Sequence, residues 1–118
     1  MNMNSVSKEE MSIITRALIA ISRRDYEALE SLERFVPYLG SNFWDCVNGF
    51  GRQEFLEPNP MDIEKYEYFQ KADNSGVIVD AFLYVKDPGY NEFKSMTISF
   101  EVNRTSNPSI IYGGPATW

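Results

Sequence analysis

Hydrophobic and polar positions along the chain fall into two regimes. Met11, Ile14, Leu18 and Ile21 recur at helical spacing with Ala17 beside them, which makes one apolar face through about Ser22. Ser7-Lys8-Glu9-Glu10 ahead of them is a capping box: the Ser7 hydroxyl can accept from the Glu10 amide while the Glu10 carboxylate reaches back. Asp25 is placed to cap a second helix, in which Leu29, Leu32 and Val36 form a stripe flanked by Tyr26 and Phe35. Glu27, Glu30, Glu33 and Arg34 take its wet side, and Pro37 ends it near Val36. The joint Arg23-Arg24-Asp25 is so short that the helices must turn sharply or run on with a kink. A one- or two-turn helix is expected at Phe43, Trp44 and Val47, with Ser41 as its cap, Gly49 and Gly51 at its end, and both aromatics in the core. Glu57-Pro58-Asn59-Pro60 then breaks the chain rigidly.

Beyond that break the period changes to two. Strands are expected over 62–71, 77–86, 94–104 and 109–113. Turns are marked by Asp73-Asn74-Ser75-Gly76, by Asp87-Pro88-Gly89-Tyr90-Asn91 and by Thr105-Ser106-Asn107-Pro108, while Gly113-Gly114 reads as another turn. Val77, Val79, Ala81, Leu83 and Val85 share one side of their strand, and Ile78, Asp80, Phe82 and Tyr84 the other. Met96, Ile98, Phe100 and Val102 likewise oppose Ser95, Thr97, Ser99, Glu101 and Asn103. Helices first and strands afterwards predict an α+β fold: N-terminal helices packed on one side of a curved antiparallel meander of about four strands. The chain, 118 residues long, is one domain's worth, with 1–6 and 114–118 expected as flexible tails. Area scaling gives about 6,600 Å² of folded surface against about 20,000 Å² unfolded, enough burial for a core without disulfides.

Composition narrows the chemistry. There is no histidine and one cysteine, so the usual zinc sites, a Ser-His-Asp triad, a Cys-His pair and an internal disulfide are all excluded. No metal, no cofactor and no catalytic residue are expected. Cys46, with no histidine to activate it, reads as a buried, inert thiol. Seventeen acidic against 11 basic residues give a net charge of −6, the wrong sign for nucleic-acid binding and the right one for a basic partner. Ile13 to Ile21 is interrupted by Thr15 and Arg16 and falls short of the roughly 18–20 apolar residues of a membrane span. No signal-peptide pattern is present, and the unpaired thiol fits a reducing compartment, so a cytoplasmic location is expected.

The second face of the sheet carries the functional expectation. If the aliphatic side of the second strand meets the helices, Asp80, Phe82 and Tyr84 point away beside Thr97, Ser99 and Glu101, and Tyr66 and Tyr68 of the first strand join them. Aromatics supply contact area and carboxylates select a basic counterpart, so Asp80, Phe82, Tyr84, Glu101, Tyr66 and Tyr68 form the expected partner-binding face. Strand propensity alone also places aromatics on half-wet sheets. Asp80 with Tyr84 would alternatively serve as a carboxylate–phenol pair inside a cavity.

Arg24-Asp25-Tyr26-Glu27-Ala28-Leu29 in a helical hairpin, followed by a curved meander, resembles the opening of cystatin-like α+β rolls, including nuclear-transport-factor-like and ketosteroid-isomerase-like domains. That resemblance implies a sheet wrapped around the long helix and spans both isomerases or dehydratases with a central cavity and non-catalytic binding modules. The lack of histidine departs from several enzymatic members. In size, charge and architecture the chain also resembles bacterial immunity proteins that neutralise polymorphic or contact-dependent toxins. That likeness implies an acidic surface covering the basic groove of a nuclease-type toxin. The function expected is a non-enzymatic protein-binding module of this immunity type; the alternatives are a small-molecule or isomerase-type roll and a homodimer formed through the open sheet.

Overall fold

The computed structural model describes residues 6–38, 43–48, 54–87 and 94–115. Helix α1 spans Lys8–Ser22, and the capping box is formed: Ser7 Oγ accepts from the Glu10 amide and Glu10 Oε1 accepts from the Ser7 amide. Ile14, Ala17, Leu18 and Ile21 on its apolar face are buried. The helix ends in a Schellman motif, with the Asp25 amide bonded to the Ala20 carbonyl and the Arg24 amide to Ile21. Arg24 takes the left-handed position of that motif (φ 50°), where glycine is usual, and so produces the sharp turn.

Helix α2 is shorter than its hydrophobic stripe predicts. Asp25 caps it by accepting from the Ala28 amide, but it covers only Tyr26–Glu30. The stripe Leu29–Leu32–Val36 is not one helical face. The helix stops at Glu30 with Ser31 as its C-cap; beyond it Arg34 adopts φ 65°, and Phe35–Pro37 becomes strand β1. Left-handed backbone at a non-glycine residue costs on the order of 1 kcal/mol. Here the Arg34 guanidinium offsets that by donating to the Ser109 carbonyl and hydroxyl, both at 2.8 Å. Helix α3, Phe43–Asn48, follows, with Phe43 and Val47 buried and Trp44 partly so; its expected cap and terminal glycines lie outside the described residues. Cys46 is partly exposed rather than buried.

The expected first strand is divided. Pro60–Lys65 forms a 3₁₀-helix capped by Asn59, and only Glu67–Gln70 is strand, β2. Proline at the start and Asp62 in the first turn favour a helical opening over an extended one. Strands β3 (Gly76–Tyr84), β4 (Ser95–Asn103) and β5 (Ile110–Pro115) complete the sheet. Gly113 and Gly114 are strand residues of β5 and not a turn, and Gly114 and Pro115, expected in a tail, pair with Ser99 and Ile98. A side chain at Gly113 would run into the Phe100 ring, so glycine lets β5 lie flat there. Val6, also expected in a tail, is buried.

The sheet order is β1-β5-β4-β3-β2. Among the described residues it has five strands where about four are expected, and it is mixed: β1 runs parallel to β5 while every other pair is antiparallel. The fold is therefore α+β with helices N-terminal to a mixed sheet. One core joins α1 to the aliphatic side of the sheet through Val77, Val79, Leu83, Ile98, Phe100 and Ile111. Among the described residues no helix is long and apolar enough to cross a membrane.

A polar clip fastens the start of α1 to the β4–β5 end of the sheet. Glu10, 5 % exposed, accepts from Arg104 Nη2 at 2.6 Å and Nε at 3.1 Å and from the Ser109 hydroxyl at 2.8 Å. Burial by itself would raise its pKa; the Arg104, Ser7 and Ser109 hydrogen bonds with the Arg104 charge outweigh it and hold the carboxyl at about 2. Arg34 extends the clip from Ser109 to Glu9.

Candidate functional site

The strand register maps the sheet face opposite α1. One row crosses all five strands: Val36 on β1, Tyr112 on β5, Glu101 on β4, Ile78 on β3 and Phe69 on β2. The next row holds Gly114, Ser99, Asp80 and Glu67, and the rows beyond it pair Phe82 with Thr97 and Tyr84 with Ser95. Alternation explains the composition: each of these residues is one step from a buried neighbour. Phe69 and Val36, at 49 % and 42 % exposed, are apolar side chains standing in solvent at opposite edges, with Tyr84 and Tyr38 also exposed.

Asp80, Phe82, Tyr84 and Glu101 thus lie together on this face. Tyr68 does not. It sits opposite Val79 on the core side, buried, and its hydroxyl donates to the Ile63 carbonyl at 2.9 Å. The 3₁₀-helix before β2 sets where that strand begins, and the register then turns Tyr68 inward. Tyr66 precedes β2 and is buried, its ring edge-on to Phe82 at 5.2 Å, so it supports the face from beneath and offers no contact surface. Its hydroxyl has no hydrogen-bond partner among the described residues. Burial, then the nearby Asp62 carboxylate and the Tyr68 and Tyr84 phenols, push its pKa up to about 12, so it is a neutral phenol. Burial also raises the pKa of Tyr68.

Sequence reasoning missed the other half of the face. Tyr38, just beyond β1, stacks on Tyr112 at 6.2 Å and 20°, and Tyr112 stands opposite Glu101. Burial, followed by the Glu101 carboxylate and the Tyr112 phenol, raises the Tyr38 pKa. Lys71 reaches across β3 to Glu101 at 3.0 Å, and Asn103 donates to the other carboxylate oxygen at 3.4 Å. These groups stay hidden in the sequence because the third-strand pattern locates Glu101 but nothing local places β1 and β5 beside it.

Electrostatically the face divides in two. Glu101 is held by Lys71 and Asn103. Asp80 and Glu67 are directly opposite one another across the β2–β3 pair, and neither takes a salt bridge or a side-chain hydrogen bond among the described residues. Like charges at such positions have Cβ atoms about 5 Å apart and destabilise a sheet by a few tenths to about 1 kcal/mol. Asp80, Glu67 and Glu101 against Lys71 leave the face negative. Among the described residues, no group of three or more histidine, cysteine, aspartate or glutamate side chains could hold a metal ion. The face therefore presents aromatic area, hydroxyls and two untied carboxylates to whatever meets it.

Comparison of the chain with protein-family models, with curated proteins and with solved structures finds no match.

Proposed function

We propose that the chain is a non-enzymatic protein-binding module whose open sheet face takes a basic protein partner, and that its role is to neutralise a bacterial toxin in the manner of an immunity protein. The observation that carries the binding reading is the Asp80–Glu67 pair: two facing, untied carboxylates amid exposed Phe69, Tyr84, Tyr38 and Val36. A sheet facing water permanently has no use for either feature, since the apolar groups stay hydrated and the charges repel. A lysine or arginine from a partner placed between them removes both penalties at once.

Dimensions support the same reading. Strands of three, four, nine, nine and six residues, at about 3.3 Å rise and about 4.8 Å spacing, cover about 490 Å² in projection. With side-chain relief that approaches the roughly 800 Å² each partner contributes to a standard interface. Charge argues against a second copy of this chain as the occupant, because it would bring Asp80, Glu67 and Glu101 against themselves. The nuclease-type toxin is the most specific form of the proposal, supported by the net charge of −6 and by the acidic face.

Co-expression with the product of the neighbouring gene, followed by titration calorimetry, tests it. A 1:1 complex is expected, its association slowed by salt and weakened at least tenfold by Asp80→Lys with Glu67→Lys. Unchanged affinity and on-rate in that double variant would show that another surface binds.

A further inference from the structure

On the helix side of the molecule a groove of about 870 Å³ runs between α1 and the α2–β1 segment. Its floor is apolar, made by Ile13 and Ala20, which are buried, and by Ile19 and Leu32, which are partly exposed. Lys8 and Arg16 stand on its α1 rim with Ser12 between them. Both cations are exposed, and neither side chain makes an ion pair or hydrogen bond among the described residues. The other charges of the lining are mostly committed: Arg23 to Glu57, Arg34 to Glu9 and Ser109, and Asp25 to the α2 cap. Glu33 is the remaining untied carboxylate among the lining residues, on the wall across from α1. A protein of net charge −6 therefore keeps two free positive charges together over an apolar trough.

We infer that this groove binds an extended acidic peptide segment of a partner protein, at a site separate from the open sheet face. Shape selects the extended form. From Lys8 to Arg23 the groove follows α1 for about 22 Å, so its volume averages about 40 Å² in section. An extended chain occupies about 48 Å², from a strand spacing of about 4.8 Å and a layer depth of about 10 Å. A helix, about 10–12 Å across, has a section of about 80–110 Å², at least twice that of the groove, whereas the extended chain is close to it. Charge selects the sequence. Lys8 and Arg16 are two turns apart, about 12 Å along the axis. Residues i and i+4 of an extended strand are about 13 Å apart and point the same way. Two acidic residues with that spacing would meet both cations at once, the intervening position would face Ser12, and aliphatic residues between them would cover the floor.

The test is an NMR titration of isotopically labelled full-length protein with the unlabelled peptide Glu-Val-Ser-Val-Glu, capped at both ends, against Lys-Val-Ser-Val-Lys. Saturable shifts are expected at the amides of α1 and of residues 31–34, with the acidic peptide at least tenfold tighter. The Lys8→Glu, Arg16→Glu double variant changes only exposed side chains; circular dichroism checks that it folds, and it is expected to abolish the preference for acid. No saturable binding, equal affinity in the double variant, or shifts confined to β3 and β4 would each overturn the inference, as would binding to anionic vesicles but not to the peptide.

Discussion

Glu10 is a buried carboxylate whose pKa is strongly lowered in the fold, and its contribution can be worked out from its surroundings. It serves twice, closing the capping box with Ser7 and accepting two hydrogen bonds from Arg104 and one from Ser109. Its carboxyl titrates at about 2 in the folded protein against 4.5 unperturbed. That gap, at 1.36 kcal/mol per pKa unit, corresponds to about 3 kcal/mol. Because the folded pKa is the lower one, the unfolded chain takes up the proton first. The stabilisation is therefore fully present above about pH 4.5 and is lost as the pH falls toward 2. Against a total of about 5–15 kcal/mol for a domain, this is a large share. Glu10→Gln isolates the charge, since glutamine can still close the capping box. Urea unfolding of both proteins from pH 7 to pH 2 gives the difference profile. About 3 kcal/mol should separate them at pH 7, shrinking below pH 4.5 and nearly vanishing at pH 2. Parallel profiles with a constant offset would refute the electrostatic account and leave only a packing or hydrogen-bond effect.

Further outcomes follow from individual groups. Tyr66→Phe removes a buried hydroxyl that has no partner among the described residues and should stabilise by about 1 kcal/mol, while Tyr68→Phe removes the bond to Ile63 and should cost about 1 kcal/mol; thermal unfolding of the two variants should shift in opposite directions, and shifts of the same sign would show that both hydroxyls are bonded or both are not. Asp80→Asn should raise stability by about 0.2–1 kcal/mol through relief of its repulsion with Glu67, while weakening any basic partner; a loss of stability in urea would mean that Asp80 is paired in solution. Phe100→Ala empties the centre of the core against Gly113 and Phe35 and should cost about 3–5 kcal/mol by chemical denaturation, with a smaller loss showing that the site collapses around the cavity.

The candidate face is partly legible in the order of residues. Asp80, Phe82 and Tyr84 share a side of β3, and Glu101 shares a side of β4, because strict alternation fixes each strand's faces once one of them is apolar. Alternation misplaces Tyr66 and Tyr68 because the residues before them carry two competing signals. The stretch from Asp62 to Lys71 contains enough aromatics for a strand, yet Asn59 and Pro60 cap a 3₁₀-helix that uses up its first half. Tyr38, Val36 and Phe69 escape the pattern as partners of the face because each depends on which strand lies next to it. The untied charges of the groove, Lys8 and Arg16, are visible as letters, but only the packing of α2 against α1 makes them neighbours of an apolar trough.

The features written into the chain are those that lie within one helical turn or one strand repeat. The Ser7–Glu10 box starts α1, Asp25 caps α2, and the period-two runs make β3 and β4, since each signal rests on hydrogen bonds or side-chain directions a few residues apart. Long-range packing sets where β1 goes. Arg34 leaves the helical region because its guanidinium reaches Ser109, 75 residues along the chain, and Phe35 to Pro37 can then pair in parallel with β5. No local pattern encodes that choice. A lost stretch of helix, a left-handed arginine and a parallel edge strand are compensated only when the far end of the chain is already in place.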